Sequence, residues 1–345
     1  MRKLLNVLYV TQPDAYLAKE GETVQVLVGE EKRLQIPIHN LESIVCFGYT
    51  GASPSLMHLC AENGVSLNFI TEYGRFLAKV SGSVSGNVLL RRQQYRMADD
   101  KSITASLAAS FLVGKLTNSR TVIQRALRDN KYSDANILSE FSRAVHELDR
   151  QIEHIKQNQN IDSLRGLEGD AARAYFSVFD YFILNQKMEF FFKERSRRPP
   201  MDNMNALISF LYALLILDIQ SALESVGLDP AVGYLHVERP GRPGLALDMM
   251  EEFRSCLADR MALSLVNRNQ INGKGFLKKE SGGILMDDDT RKIVLMAWQK
   301  RKQEEIRHPF LEETISIGLL PYAQALLLAR YIRGDLDAYP PFIWR

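Results

Sequence analysis

Residues 91–128 read RRQQYRMADDKSITASLAASFLVGKLTNSRTVIQRALR. This stretch decides the fold, because the pattern of apolar residues changes within it. Upstream, short β-branched runs lie between turn signals, at 7–10, 23–28, 34–38, 43–47, 65–70 and 76–80. Only 55–63, after the Gly-Ala-Ser-Pro turn, reads as a helix, with Leu56, Leu59 and Cys60 at helical spacing and Gly64 placed to close it. Downstream of Arg91, Arg92 and the Asp99-Asp100 break, apolar residues recur with helical period almost to the end. The expected helices are 102–128, 134–158, 164–192, 204–226, 245–266, 290–307 and 321–333. Gly227 and Gly334 sit where C-caps belong, and Pro321 where a helix can begin. The fold class is therefore α+β in two domains. A small β-rich N-terminal domain, 1–92, is followed by a linker, 93–101, and a larger all-α domain, 102–345.

Length supports two domains, since 345 residues exceed what one core usually organises. Apolar and charged fractions of 46% and 24% exclude a disordered or fibrous chain. The formal charge of +2 is nearly balanced, so any nucleic-acid surface must come from local clusters of cations. Cys46, Cys60 and Cys256 are far apart and odd in number, which supports neither a disulfide framework nor a cysteine zinc site. The apolar part of MRKLLNVLYVTQPDAYL is too short for a signal peptide, and the run 206–217 is too short to span a bilayer. A cytoplasmic protein with no membrane partner is expected.

The chemistry concentrates in residues 233–254, GYLHVERPGRPGLALDMMEEFR. His236 precedes a Pro/Gly/Arg loop and reads as lying on or at the end of a short strand. Projected at about 100° per residue, the following helix puts Ala246, Met249, Met250, Phe253 and Leu257 on one face and Asp248, Glu251, Glu252, Ser255 and Asp259 on the other. Spacing alone favours a solvated acidic face. Like charges at these spacings repel by a few tenths of a kcal/mol per pair, and a bound cation would remove that repulsion; Arg254 reaches only the edge near Glu251. Glu168 carries a second signal, because it projects among Leu164, Ala171, Ala172, Tyr175 and Phe179. A carboxylate there needs a salt bridge from another helix or a metal. Among the other histidines no HxxxH or HExxH pair occurs.

The order of these segments resembles the CRISPR-associated adaptation integrase family, the nuclease of spacer acquisition. The resemblance rests on Glu168 in GLEGDAA, on Arg197-Arg198-Pro199-Pro200 before Asn205-Ala206-Leu207, on Gly233-Tyr234-Leu235-His236, and on Leu247 to Arg254. The opening LLNVLYVTQPDAYL, IVCFGYTGASPSLM and the terminal YIRGDLDAYPPFIWR further resemble its type I-C variant. The resemblance implies a helical catalytic domain in which Glu168, His236 and Glu251 hold magnesium or manganese, with Asp248 an additional acidic position beside the metal. His236 as a proton shuttle beside the metal is the other role open to it. Gly244 departs from the serine many relatives carry. The implied reaction is attack of a fragment's 3′-hydroxyl on a phosphodiester of the CRISPR repeat. The implied partners are double-stranded DNA, a second copy in a homodimer formed through the N-terminal domains, and a small ferredoxin-like CRISPR-associated protein. A metal-dependent nuclease of branched DNA and a non-enzymatic helical nucleic-acid-binding subunit are the alternative readings.

Clusters of cations suit DNA phosphates: Arg195, Arg197 and Arg198; Arg239 and Arg242, between His236 and Asp248; and Lys274, Lys278 and Lys279. Arg197, Arg198, Arg239, Arg242, Lys278 and Lys279 are the candidate DNA contacts. Lys300, Arg301 and Lys302 read instead as a solvated helix face balanced by Glu304 and Glu305.

Overall fold

In a computed structural model of the chain, the described residues are 5–12, 14–72, 74–82, 87–130, 132–157, 160–280 and 282–344. Residues 1–4 of the expected first domain, Pro13, Asn158 at the end of the second expected long helix, and the terminal Arg345 lie outside them.

The chain forms two compact units, but it does not divide at one point. The first unit comprises Met1–Gly86, Met286–Glu305 and Ser316–Leu319, and the second comprises Asn87–Leu285, Ile306–Ile315 and Leu320–Arg345. The expected single boundary is replaced by an excursion of the C-terminal third back into the first unit. The expected linker, 93–101, is helical as well.

The first unit opens with β1 (Asn6–Val10), β2 (Ala15–Glu20), β3 (Thr23–Val28), β4 (Glu31–Pro37), β5 (Leu41–Phe47) and β6 (Gly51–Ala52), followed by α1 (Pro54–Glu62), β7 (Ser66–Ile70) and β8 (Phe76–Val80). One sheet has the order β1-β5-β7-β8, with β5 parallel to both neighbours and β8 antiparallel at the edge. The other has the order β4-β3-β2-β6. LESIVCF of β5 is an almost continuous apolar run because both of its faces are covered. β2 escaped the sequence reading: Ala, Lys and Glu are weak strand formers, yet Ala15 and Leu17 are buried and all six residues pair with β3. Leu17, Val24, Ile44, Leu56, Leu59 and Leu67 join one core. Ser53 caps α1 by accepting the Leu56 N–H at 3.2 Å.

In the second unit come α2 (Val88–Asp99), α3 (Lys101–Asp129), α4 (Ala135–Gln157), α5 (Ile161–Ser177), α6 (Asn203–Ser225), α7 (Gly244–Met250) and α8 (Arg260–Asn267), then β9 (Phe276–Lys278) paired with β10 (Ile284–Met286). α9 (Asp288–Gln303) belongs to the first unit, and the ribbon β11 (Glu305–Arg307) and β12 (Thr314–Ser316) precedes α10 (Leu320–Arg333). Two short hairpins thus stand in a region expected to be all-α. In the first unit, Arg291 of α9 bonds the Glu72 carbonyl and Asp288 and stands 5.7 Å from the Phe47 ring centre, while Gln299 donates to the Val7 carbonyl at 2.9 Å. Lys302 is buried, so the 300–302 trio is not a uniformly solvated face.

Three expected elements differ. The helix expected over 164–192 stops at Ser177, and Phe179–Phe182 forms a 3₁₀ turn before an irregular segment. There the backbone is satisfied by side chains instead of a helical ladder: Asn267 accepts the Leu184 N–H and donates to the Phe182 carbonyl, both at 2.8 Å. His236 lies in a loop with no strand. The helix expected over 245–266 is broken after α7 by a tight turn and a π-helical segment, Arg254–Asp259.

α6 is 23 residues long and apolar, long enough by length and composition to cross a bilayer, which its shorter apolar run had not suggested. Its Met204, Leu207, Ile208, Leu211 and Ile219 are fully buried in the unit, as in the core helix of a folded protein. Gly227 and Gly334 take φ of 87° and 82° after α6 and α10, where glycine carries no steric penalty.

Candidate functional site

The π-helical break overturns the projected acidic face. Asp248, Glu251, Glu252, Ser255 and Asp259 are all at most 2% exposed, and their side chains diverge to different partners. The face is a set of buried polar groups, not a wet surface.

Asp248 organises the His236 loop. Its Oδ2 accepts the N–H groups of Tyr234 and Leu235 at 2.6 and 3.0 Å, and its Oδ1 accepts the His236 N–H at 2.9 Å. That same Oδ1 lies 2.6 Å from His236 Nδ1. A carboxylate only accepts, so Nδ1 carries a proton, and Nε2, on the far side of the ring, presents a lone pair whenever the ring is neutral. The glycines explain the close approach: a Cβ on Gly233 would fall 2.6 Å from the Gly244 carbonyl carbon and 2.7 Å from Asp248 Oδ2. From α5, Arg165 holds the loop through the Leu235 carbonyl at 2.9 Å.

One helical turn beyond Arg165, Glu168 meets Lys115 of α3. The Lys115 ammonium pairs with Glu168 Oε1 and lies 2.8 Å from Glu251 Oε2. The salt bridge open to Glu168 on sequence is therefore present, made by Lys115 of α3. Glu251 Oε1 pairs with Arg254 at 2.9 Å and lies 3.8 Å from His236 Nε2. Among the described residues no aligned hydrogen bond completes Glu251 Oε2, which has the Lys115 ammonium beside it. Burial would raise the Glu251 carboxyl, but Arg254, Lys115 and His236 together outweigh it and hold the pKa at about 2.

These atoms pass a chemical test for a divalent ion. Two carboxylates and a neutral imidazole nitrogen suit magnesium or manganese, one buried carboxylate oxygen lacks a hydrogen bond, and a cation already stands between the two acids. Among the described residues no three acidic, histidine or cysteine side chains are gathered tightly enough to hold a metal as they stand. Lys115 takes up the space between Glu168 and Glu251.

A small crevice adjoins Glu168 and is lined by Ala171, Ala172, Arg197, Tyr212 and Ser255. Arg254, expected only at the edge near Glu251, pairs with it, and Lys115 and Tyr212 join the site without a motif that marks them. Arg254 packs over the Tyr212 ring at 5.1 Å, and the Tyr212 hydroxyl donates to Asp259 at 2.8 Å. Burial pushes the Asp259 carboxyl up to about 6, against hydrogen bonds from Tyr212 and Tyr175.

Of the candidate cations, Arg195 is used internally: it bonds Asn205 Oδ1 at 2.7 Å and Ser209 at 3.0 Å. Arg197, Arg198 and Arg239 are exposed, and Arg242 is half-buried. Burial lowers the Arg242 pKa, with Arg239, Arg165 and Arg198 acting in the same direction and Asp248 opposing, which places four guanidinium groups in one neighbourhood. Lys278 and Lys279 are exposed at the β9–β10 hairpin.

Glu252 faces away from this centre. Its carboxylate accepts the Tyr339 hydroxyl at 2.7 Å, the Phe342 N–H at 2.6 Å and Gln324 Nε2 at 3.0 Å. Burial raises it to about 8, with those hydrogen bonds pulling the other way.

Residues 8–300 match the family described as CRISPR associated protein Cas1. A CRISPR-associated endonuclease Cas1 of Chlorobaculum tepidum is 52% identical over the full length of both chains. Two solved structures share the fold: a casposase bound to integration product, with TM-score 0.84, 18% identity and 99% and 95% of the two chains covered, and a chain of a Cas6-RT-Cas1–Cas2 complex, with TM-score 0.82, 21% identity and 100% and 36% covered. The chain, with its β-rich first unit and helical second unit, belongs to the CRISPR-associated Cas1 family.

Proposed function

We propose that this protein is a divalent-metal-dependent DNA endonuclease and integrase of CRISPR adaptation, with Glu168, His236 and Glu251 holding magnesium or manganese. The observation that carries the reading is the approach of Glu168 and Glu251 to one shared cation, with His236 Nε2 turned toward Glu251 by Asp248. When bound, the ion supplies Lewis-acid polarisation of the phosphate and a lowered pKa for the attacking hydroxyl.

The residues do the rest. Asp248 is a positioning residue, since all its acceptor capacity goes to the loop and the ring. Arg239 and Arg242, with Arg198 near them, form a phosphate rim that orients the scissile strand. In the reaction the fragment's 3′-oxygen forms a bond to the phosphorus at the repeat boundary, and the bond from that phosphorus to the 3′-oxygen of the preceding nucleotide breaks. The attacking hydroxyl loses a proton and the departing oxygen gains one, so one phosphodiester replaces another.

The partners belong to the same reading: double-stranded DNA, a second copy of the chain, and a small ferredoxin-like protein such as the Cas2 named in the related complex. The cytoplasm is the compartment that fits three buried free cysteines. The experiment is strand transfer of a short duplex into repeat-containing DNA, with the small partner present and with magnesium, manganese or EDTA. Wild type should join in metal alone, and Glu168→Ala and His236→Ala should not. Joining in EDTA, or unaltered joining by both variants, overturns the site. Cleavage of branched DNA without strand transfer would favour the repair-nuclease reading.

A further inference from the structure

The residue after Glu251 is not idle. We infer that the C-terminal segment 339–344 is a positioning element of the site, clamped through Glu252 and Asn118 onto the two backbone stretches that carry Glu251 and Lys115. The inference deepens the metal-site reading above and rests on it.

Two sets of hydrogen bonds make the clamp. Glu252 binds the segment through Tyr339 and the Phe342 N–H, and Gln324 of α10 bridges Glu252, the Tyr339 hydroxyl at 2.7 Å and the Pro340 carbonyl at 3.0 Å. Asn118 of α3, fully buried, donates to the carbonyls of Glu252 and Phe342 at 2.7 and 2.9 Å and accepts the Trp344 N–H at 2.7 Å. Asn118 lies three residues from Lys115 on α3, and Glu252 is bonded to Glu251. The segment therefore joins the helix of the ammonium to the turn of the carboxylate.

Packing gives the clamp little slack. A Cβ on Gly114 would approach both Glu252 Cγ and Pro341 Cβ to 3.1 Å, so α3, the turn and the segment meet at a point sized for glycine. Phe342 is fully buried, 5.4 Å from the Phe253 ring, and Arg260 stands over Trp344 at 5.4 Å. The Glu252 carbonyl sits in the tight turn ahead of the π-helical segment, so Asn118 supplies the partner that holds this irregular turn open. Partners of this outer kind fix ligand direction, and their loss typically weakens metal binding about 10–100-fold.

The test uses the full-length protein with Tyr339→Phe, which removes one hydroxyl from Glu252, and Glu252→Ala, which removes both of its side-chain oxygens. Hydrogen exchange of the free protein is read over residues 249–257, with α4 as the internal reference, and manganese affinity is read by paramagnetic titration well below the melting temperature. Both variants should exchange faster at 249–257 than wild type while α4 is unchanged. Each should bind manganese at least about fivefold more weakly, with the KM for DNA unaltered and kcat lowered. A fall in melting temperature with wild-type manganese affinity and unchanged exchange at 249–257 would reduce the segment to scaffolding and overturn the inference. Failure of wild type to bind manganese would overturn the metal site instead, and the exchange comparison would still decide the clamp.

Discussion

Replacing Lys115 with Met keeps the methylene volume and removes the charge between Glu168 and Glu251. At 2.8 Å, Coulomb's law with an effective dielectric near 20 gives about 6 kcal/mol for the pair with Glu251. Part of that is cancelled by the cost of desolvating the ammonium, and removing one partner of a buried pair typically costs roughly 3–5 kcal/mol. Glu251 keeps Arg254 at 2.9 Å, so the lower end, about 3 kcal/mol, is the expected loss in EDTA. For a unit of this size that is a fall in Tm of roughly 6–12 °C. Manganese should reverse the order. In wild type the ion must displace the ammonium, whereas in the variant both carboxylates have lost their shared cation, so its manganese Kd should fall on the order of tenfold, about 1.4 kcal/mol. Calorimetric melting with EDTA or manganese, joined to a paramagnetic titration, reads both effects. A variant that melts like wild type in EDTA, or binds manganese no more tightly, refutes the reasoning that Lys115 stands in the metal's place.

Asp248→Asn should weaken manganese binding about 10–100-fold, because an amide offers one acceptor oxygen where four hydrogen bonds converge; unaltered affinity would show that the His236 tautomer does not matter. Arg239→Ala and Arg242→Ala should each weaken DNA binding across all sequences and lower the salt slope by about one, and a wild-type slope would remove that residue from the rim. Asp259 gives a pH signature. Its carboxyl rises from 3.8 to about 6 in the folded protein, so the folded state binds the proton more tightly than the unfolded one. Its stabilisation is present below about pH 3.8 and is lost as pH rises through 6, an effect on the order of 3 kcal/mol. Denaturant unfolding of Asp259→Asn between pH 4 and 7 should lack that decline; parallel curves for variant and wild type would contradict it.

The two-unit architecture was legible because the change from β-branched runs to helical period near Arg91 is a property of local sequence. Its limits were tertiary. β2 pairs despite weak propensity, and α9 rejoins the first unit through Arg291 and Gln299, contacts that no local pattern announces. Glu168 was visible as a carboxylate on an apolar face. Its partner left a fainter signal: Lys115 is the single charged residue between Lys101 and Arg120. The acidic face was not legible, because a uniform 100° projection cannot anticipate a π-helical segment, and here Glu251 goes toward Lys115 and Glu252 toward Tyr339.

The return of α9 to the first unit sets an order on synthesis. Val294, Leu295 and Trp298 complete that unit's packing, yet the ribosome must first make residues 87–285. At about 5–20 residues per second that interval lasts roughly 10–40 s. Through that time the nascent N-terminal sheets wait without their last helix, and any truncation near residue 92 would freeze them in that unfinished form. A chain built this way reaches its native state only after release of nearly its whole length, so its first-made part stays unfinished until almost all of the second has been made.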